Sequence, residues 1–297
     1  MAITAGMVKE LREKTGAGML DCKKALEEAA GDIAKASEIL REKGLAAAAK
    51  KSDRIASEGV VSAEVAGGVA VVVEVNSETD FVAKNAQFQA FVSQITKQIA
   101  EANPADVDAL LAQKSISGDE TIENVLNTNT SVIGEKLSIR RFDRYEVVAG
   151  NVAASYVHGA GKVGVIVELK GGSAELAKDL AMQIAAAAPT YLSIAEVDSE
   201  AVEKEKAILR EQINNDDKNK NKPENIKEKM IEGRLGKFFE DVVLLEQSFV
   251  KDDSKKVSQL LKEAGAEIVR FTRFGLGEGL EKKQENFAEE VMAQVKQ

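Results

Sequence analysis

Apolar residues recur at helical spacing through the first 44 positions, with two breaks. Thr4 stands as an N-cap ahead of Val8 and Leu11 at i, i+3. Gly16 and Gly18 interrupt; Met19 and Leu20 open a second helix through Cys22, Leu26 and Ala29, which Gly31-Asp32 ends. Ile33, Ala36, Ile39 and Leu40 give a third amphipathic face, expected to stop at Gly44. So small a core needs a neighbour to rest on, and Leu45 to Ser57 reads as the linker to it. The period then shortens to two. Val61, Ala63 and Val65 alternate, Gly67-Gly68 turns the chain, and Val69 to Val75 returns as a partner strand. Phe88, Phe91, Val92, Ile95 and Ile99 restore helical spacing up to Pro104, and two further helical patches precede a strand over Ile139 to Tyr145.

The arrangement then recurs. Val69 to Val75 matches Val163 to Leu169, the helix end Gln98-Ile99-Ala100 with its Pro104 matches Gln183-Ile184-Ala185 with Pro189, and Ile139 to Tyr145 matches Ile268 to Phe274. Three matches in one order read as two copies of a unit made of a hairpin, a helix, irregular material and a third strand. The offset falls from 94 residues at the strands to 85 at the helices. The first copy therefore carries nine extra residues, Ser77 to Asn85, where the second turns through Gly171-Gly172-Ser173. The second copy carries about 44 extra residues after Pro189. Val202, Ala207, Leu209 and Ile213, a polar turn over 214–223, and Ile226, Met230 and Leu235 read there as a projecting antiparallel helix pair. Its apolar stripe is expected to meet the body or a partner. Beyond Gly275 to Gly279, Phe287, Val291 and Val295 give a last helical segment. The fold class is α+β, divided as a helical module over 1–54, a first core half over 55–145, a second over 146–192 and 236–275, a helical-hairpin insertion over 193–235, and a C-terminal module over 276–297.

Composition narrows the function. The 297 residues carry a net charge of −9, with bases interspersed among acids and no basic stretch with interleaved aromatics, so direct nucleic-acid binding is not expected. No apolar run nears the roughly 20 residues of a membrane span, and the first residues lack a signal-like apolar stretch. The single cysteine, Cys22, rules out an internal disulfide and fits a cytoplasmic, reducing setting. With one histidine and one cysteine, neither a zinc cluster nor a two-histidine metal helix can be built. Cys22 lies among apolar helix positions and reads as core; His158 reads as a surface residue in a turn beside Gly159. Gly159 to Gly164 lacks the spacing of a phosphate loop, and Gly275 to Gly279 lacks that of a dinucleotide fingerprint. No cofactor, metal or catalytic residue is expected.

The nine-residue insertion is what remains. Thr79, Asp80, Phe81 and Val82 stand at a strand-to-helix corner, and two readings are open. In one, Thr79 or Asp80 caps the helix and Phe81 packs near Asn85 and Phe88 as a staple. In the other, Phe81 projects as a wedge into a partner, with Asp80 beside it. An adaptor carried by the first module, or an enzyme whose acids meet only in three dimensions, are the rival functions.

Two long stretches, Val8 to Leu26 and Glu74 to Asn85, carry a resemblance, joined by Tyr156-Val-His-Gly159, Gly164-Val165, Glu228 to Arg234 and Gln259 to Lys262. The chain resembles the bacterial elongation factor Ts family, the guanine-nucleotide exchange factors of elongation factor Tu, over essentially its whole length. The resemblance implies a ubiquitin-associated-like (UBA-like) first module, a duplicated core, a coiled-coil hairpin insertion and a short C-terminal module. It implies that Thr79, Asp80, Phe81 and Val82 wedge into the nucleotide-binding domain of Tu and dislodge magnesium, releasing GDP. It also implies that Val8, Leu11, Met19 and Leu20 contact the same domain and that the region of His158 contacts another. The partner implied is Tu, GDP-bound and nucleotide-free. Some members self-associate through the hairpin; the polar tip over 215–222 argues against a homodimer here, and a one-to-one pair with Tu is the expectation.

Overall fold

The computed structural model describes residues 3–281. The C-terminal segment with Phe287, Val291 and Val295 lies outside the described residues. Helices α1 (Ala5–Thr15), α2 (Met19–Glu28) and α3 (Ile33–Ala49) pack around Val8, Leu11, Cys22, Ala25, Leu26 and Ala36. Thr4 and Asp32 cap α1 and α3 through their side chains. Contrary to expectation, α3 does not end at Gly44. A glycine stops a helix by turning left-handed, as Gly16 does with φ 69°, whereas Gly44 is helical and buried. The third helix runs on to Ala49, and the supposed linker begins only after it.

Strands β1 (Glu58–Ala66) and β2 (Val69–Ser77) form a hairpin through Gly67 and Gly68, both at positive φ. A one-turn α4 (Asp80–Ala83) precedes α5 (Ala86–Ala102), α6 (Val107–Ala112), α7 (Ile122–Ile133) and the third strand β3 (Ser138–Glu146), giving sheet order β1-β2-β3. The second copy follows the same plan. It comprises β4 (Val152–His158), β5 (Val163–Lys170), α8 (Ala174–Ala187), the pair α9 (Ser199–Asn215) and α10 (Glu224–Val242), the short β6 (Ser248–Phe249) and β7 (Asp252–Lys256), α11 (Val257–Ala264) and β8 (Glu267–Gly275). Its main sheet is ordered β4-β5-β8, all antiparallel, and each central strand carries a bulge at the equivalent step, Glu74/Val75 and Glu168/Leu169. Mixed helices and small antiparallel sheets make the fold α+β.

Alternation along the central strands sorts the core into layers. Val71, Val73 and Val75 face α5 through Phe88, Phe91 and Ile95, and Val165, Val167 and Leu169 face α8 through Leu180 and Ile184. Ala70, Val72, Tyr145 and Ile166 fill the space between the sheets. Both central strands are thus covered on two sides, which is why they read as nearly continuous apolar runs. The insertion helices α9 and α10 bury Leu209, Ile213, Ile231 and Leu235 against each other. Most of the expected stripe is used within the pair, and α10 runs through Leu235 to Val242. Among the described residues, no helix is long and apolar enough to cross a membrane.

Candidate functional site

Strand β2 ends at Ser77, and Asn85 caps α5 by accepting the amide hydrogens of Gln87 (2.8 Å) and Phe88 (3.2 Å) on Oδ1. Between these fixed ends the chain makes the single turn of α4. Its members divide sharply. Val82 is buried against the first core cluster, whereas Phe81 is 78% exposed and Asp80 is exposed, 3.5 Å from Lys84 one turn on. The staple reading fails for Phe81: Phe88 fills the core position, and Phe81 points away from it with most of its ring in water. An aromatic left so bare on a monomer surface is unusual enough to ask for a partner.

Thr79 occupies the N-cap position of α4 but makes no capping bond with its side chain. Its N–H donates to Glu135 Oε2 at 2.9 Å and its Oγ1 to Glu135 Oε1 at 2.7 Å. Ser77 Oγ donates to the Thr79 carbonyl at 2.9 Å. In return, Glu78 accepts the backbone N–H of Lys136 at 2.6 Å and pairs with Arg54 at 3.2 Å. Glu78 belongs to the nine-residue insertion, whereas Glu135 and Lys136 have no mark in the sequence that ties them to this corner. Glu135 is 56 positions from Thr79, and only the antiparallel pairing of β2 with β3 brings them together.

The other expected residues fall in two groups. Met19 and Leu20 are exposed at the start of α2, 51% and 63%, and form an apolar edge of the three-helix module. Val8 and Leu11 are turned inward with Cys22 and Leu26, so they shape that module and offer no contact surface themselves. Their i, i+3 spacing marked the inner face of α1. Burial pushes the Cys22 thiol up, away from the reactive thiolate form. His158 is exposed at the end of β4, with Nδ1 3.1 Å from the Tyr156 hydroxyl. None of residues 79–82 lines the surface clefts of about 500, 690 and 270 Å³. The arrangement is a protruding aromatic on a braced corner rather than a cavity for a small substrate.

Comparison with known proteins supplies a family. The family model described as Elongation factor TS matches residues 78–278. The Elongation factor Ts of Clostridium perfringens (strain SM101 / Type A) is 51% identical over 302 residues, covering 97% of this chain and 98% of that one.

Proposed function

The chain belongs to the elongation factor Ts family, and from that premise we propose that it promotes GDP release from elongation factor Tu by driving Phe81 and Asp80 into the nucleotide-binding domain and dislodging the bound magnesium. The family's role is nucleotide exchange on Tu during translation elongation, a task without covalent chemistry. The observation that carries the reading for this chain is Phe81, an exposed ring on a turn anchored by Val82 on one side and Thr79 on the other. Loss of magnesium removes the charge that holds the diphosphate, so the nucleotide leaves faster. By linkage, a factor that weakens nucleotide binding is itself weakened by nucleotide to the same extent. GTP in excess then refills the site and releases the factor.

Contacts of Met19 and Leu20 with the same domain, and of the His158 region with a second domain of Tu, complete the proposed grip. In that scheme the first three helices act as a UBA-like docking module, α9 and α10 as a coiled-coil insertion, and residues 276–297 as an accessory contact. The partner is Tu in its GDP-bound and nucleotide-free states, in a one-to-one pair.

The test is release of a fluorescent GDP from Tu under excess GTP, with and without this protein. Truncating an aromatic hot spot costs about 2 kcal/mol or more, which is roughly thirtyfold in rate. Phe81→Ala should therefore lose most of the acceleration while remaining folded by circular dichroism. A folded wild type that leaves GDP release unchanged on a matched Tu would overturn the exchange reading and favour an adaptor role.

A further inference from the structure

A helix of four residues cannot hold its own direction, because one turn fixes several backbone angles for a single hydrogen bond. The orientation of Phe81 must come from outside α4. The ladder between β2 and β3 ends at the pair Asn76–Ser138. Beyond it the two chains stay joined by side chains: Glu135 takes the N–H and hydroxyl of Thr79, and Glu78 takes the N–H of Lys136. Lys136 in turn donates through Nζ to the carbonyls of Ser52 and Arg54, at 2.6 and 2.9 Å.

The second copy provides an internal control. Its corresponding ladder ends at Lys170–Glu267; counted from that end, Ser173 is level with Thr79 and Ala264 with Glu135, although Thr79 opens the extra turn that the second copy lacks and Ser173 opens the helix equivalent to α5. Ser173 caps its helix in the ordinary way, its Oγ accepting from the Leu176 N–H at 3.1 Å. A brace by a carboxylate is thus present in the copy that carries the exposed aromatic turn and missing from the copy that lacks it. We infer that Glu135 is a positioning residue of the exchange site, fixing Thr79 at two points and thereby the direction in which Asp80 and Phe81 are presented. This rests on the exchange reading above and deepens it.

The experiment uses the full chain with Tu carrying fluorescent GDP, and measures the maximal release rate and the half-saturating factor concentration separately. Glu135→Ala should lower the maximal rate by about tenfold to a hundredfold, the upper figure being that of a group misplaced by about 1 Å, and leave the half-saturating concentration within about twofold. Glu135→Gln should stay near wild type, because its carbonyl can accept the Thr79 N–H while its amide donates to the hydroxyl. Amide hydrogen exchange of the free protein should rise over 79–83 in Glu135→Ala and stay unchanged in α1 to α3. A wild-type maximal rate in Glu135→Ala, beside a slow Phe81→Ala, would overturn the positioning role alone. An equal loss in Glu135→Gln would also overturn it. A wild type without acceleration would bring down the exchange reading and this assignment with it.

Discussion

Glu74 and Glu168 have no solvent exposure, yet each sits on the face of a central strand that looks across at the other sheet. Glu74 accepts from Arg141 Nε (2.7 Å), Arg140, Asn76 and the Gly277 N–H (2.8 Å). Glu168 accepts from Arg270 Nε (2.8 Å), Asn151 and the Val148 N–H (2.8 Å). Burial opposes ionisation at both, but these donors outweigh it and hold each carboxyl below its ordinary value near 4.5. A folded-state value below the unfolded one stabilises the fold above the unfolded value, and that stability is lost as pH falls through the folded value. Glu168→Gln should therefore cost roughly 2 kcal/mol at neutral pH, less than the roughly 3–5 of a fully buried pair, since the Arg270 side chain is 41% exposed. Thermal midpoints recorded from pH 7 downward should show that deficit shrinking below about pH 4.5, and a deficit constant down to pH 3 would contradict the ionised pairing. In the sequence the identical Glu was only one more match in the repeat. Its partners lie 67 and 102 residues away on the third strands, beyond the reach of any local pattern.

At the scale of elements, the main helices are legible because each buries one periodic face, and the central strands because both of their faces are buried and they read as apolar runs. The two sheets, the long helix of each copy and the insertion pair follow the apolar spacing closely. What was not legible depended on contacts between distant elements. The end of α3 is not legible because Gly44, a stop by pattern, is helical and buried where α3 meets α7, with room for a Cβ in ordinary contact, 3.6 Å from Ser131 Cβ. The irregular stretches hid a further equivalence. Gln98 accepts the Ile116 N–H and donates to the Lys114 carbonyl, and Gln183 does the same with Val250 and Ser248. The loops so held share too little sequence to align. At the candidate site, the four residues of the corner were legible, but the exposure of Phe81 and the brace by Glu135 were not. Gly44 itself yields a prediction. A helical glycine costs about 1 kcal/mol relative to alanine, and 3.6 Å is ordinary contact, so Gly44→Ala should raise the thermal midpoint. Gly44→Leu should lower it by wedging α3 from α7. A drop with alanine would mean that the two helices pack closer than this in solution.

For the whole molecule, the two halves meet through a pseudo-two-fold axis. Arg141 lies over the Phe274 ring at 4.4 Å and donates to the Gly275 carbonyl, while Arg270 lies over the Tyr145 ring at 4.0 Å and donates to the Glu146 carbonyl. Within each half the Val147 N–H extends the β2–β3 ladder to the Gly68 carbonyl and the Leu276 N–H extends the β5–β8 ladder to the Lys162 carbonyl; between the halves the Val61 N–H donates to the Gly161 carbonyl, all three at 2.8 Å. Asp143 and Thr272, equivalent to each other, are hydrogen-bonded together and so mark the axis. Each buried carboxylate takes the N–H of the segment leaving the other copy's third strand, Gly277 for Glu74 and Val148 for Glu168. Such an interface is isologous, the kind that joins two identical subunits, with Ala70, Val72, Tyr145 and Ile166 as its apolar centre. The covalent link across it, the exposed turn Ala149-Gly150, adds none of the bonds just described. A protease site inserted there should therefore be cut without separating the halves: size-exclusion chromatography of the nicked protein should return one species of unchanged mass, and only denaturant should release the two pieces. Pieces that part in native buffer would mean that the chain connection, rather than the paired sheets, sets the angle between the half bearing Phe81 and the half bearing His158. A two-domain grip on Tu would then have to tolerate a movable joint, and braces such as Glu135 could fix Phe81 only relative to its own half.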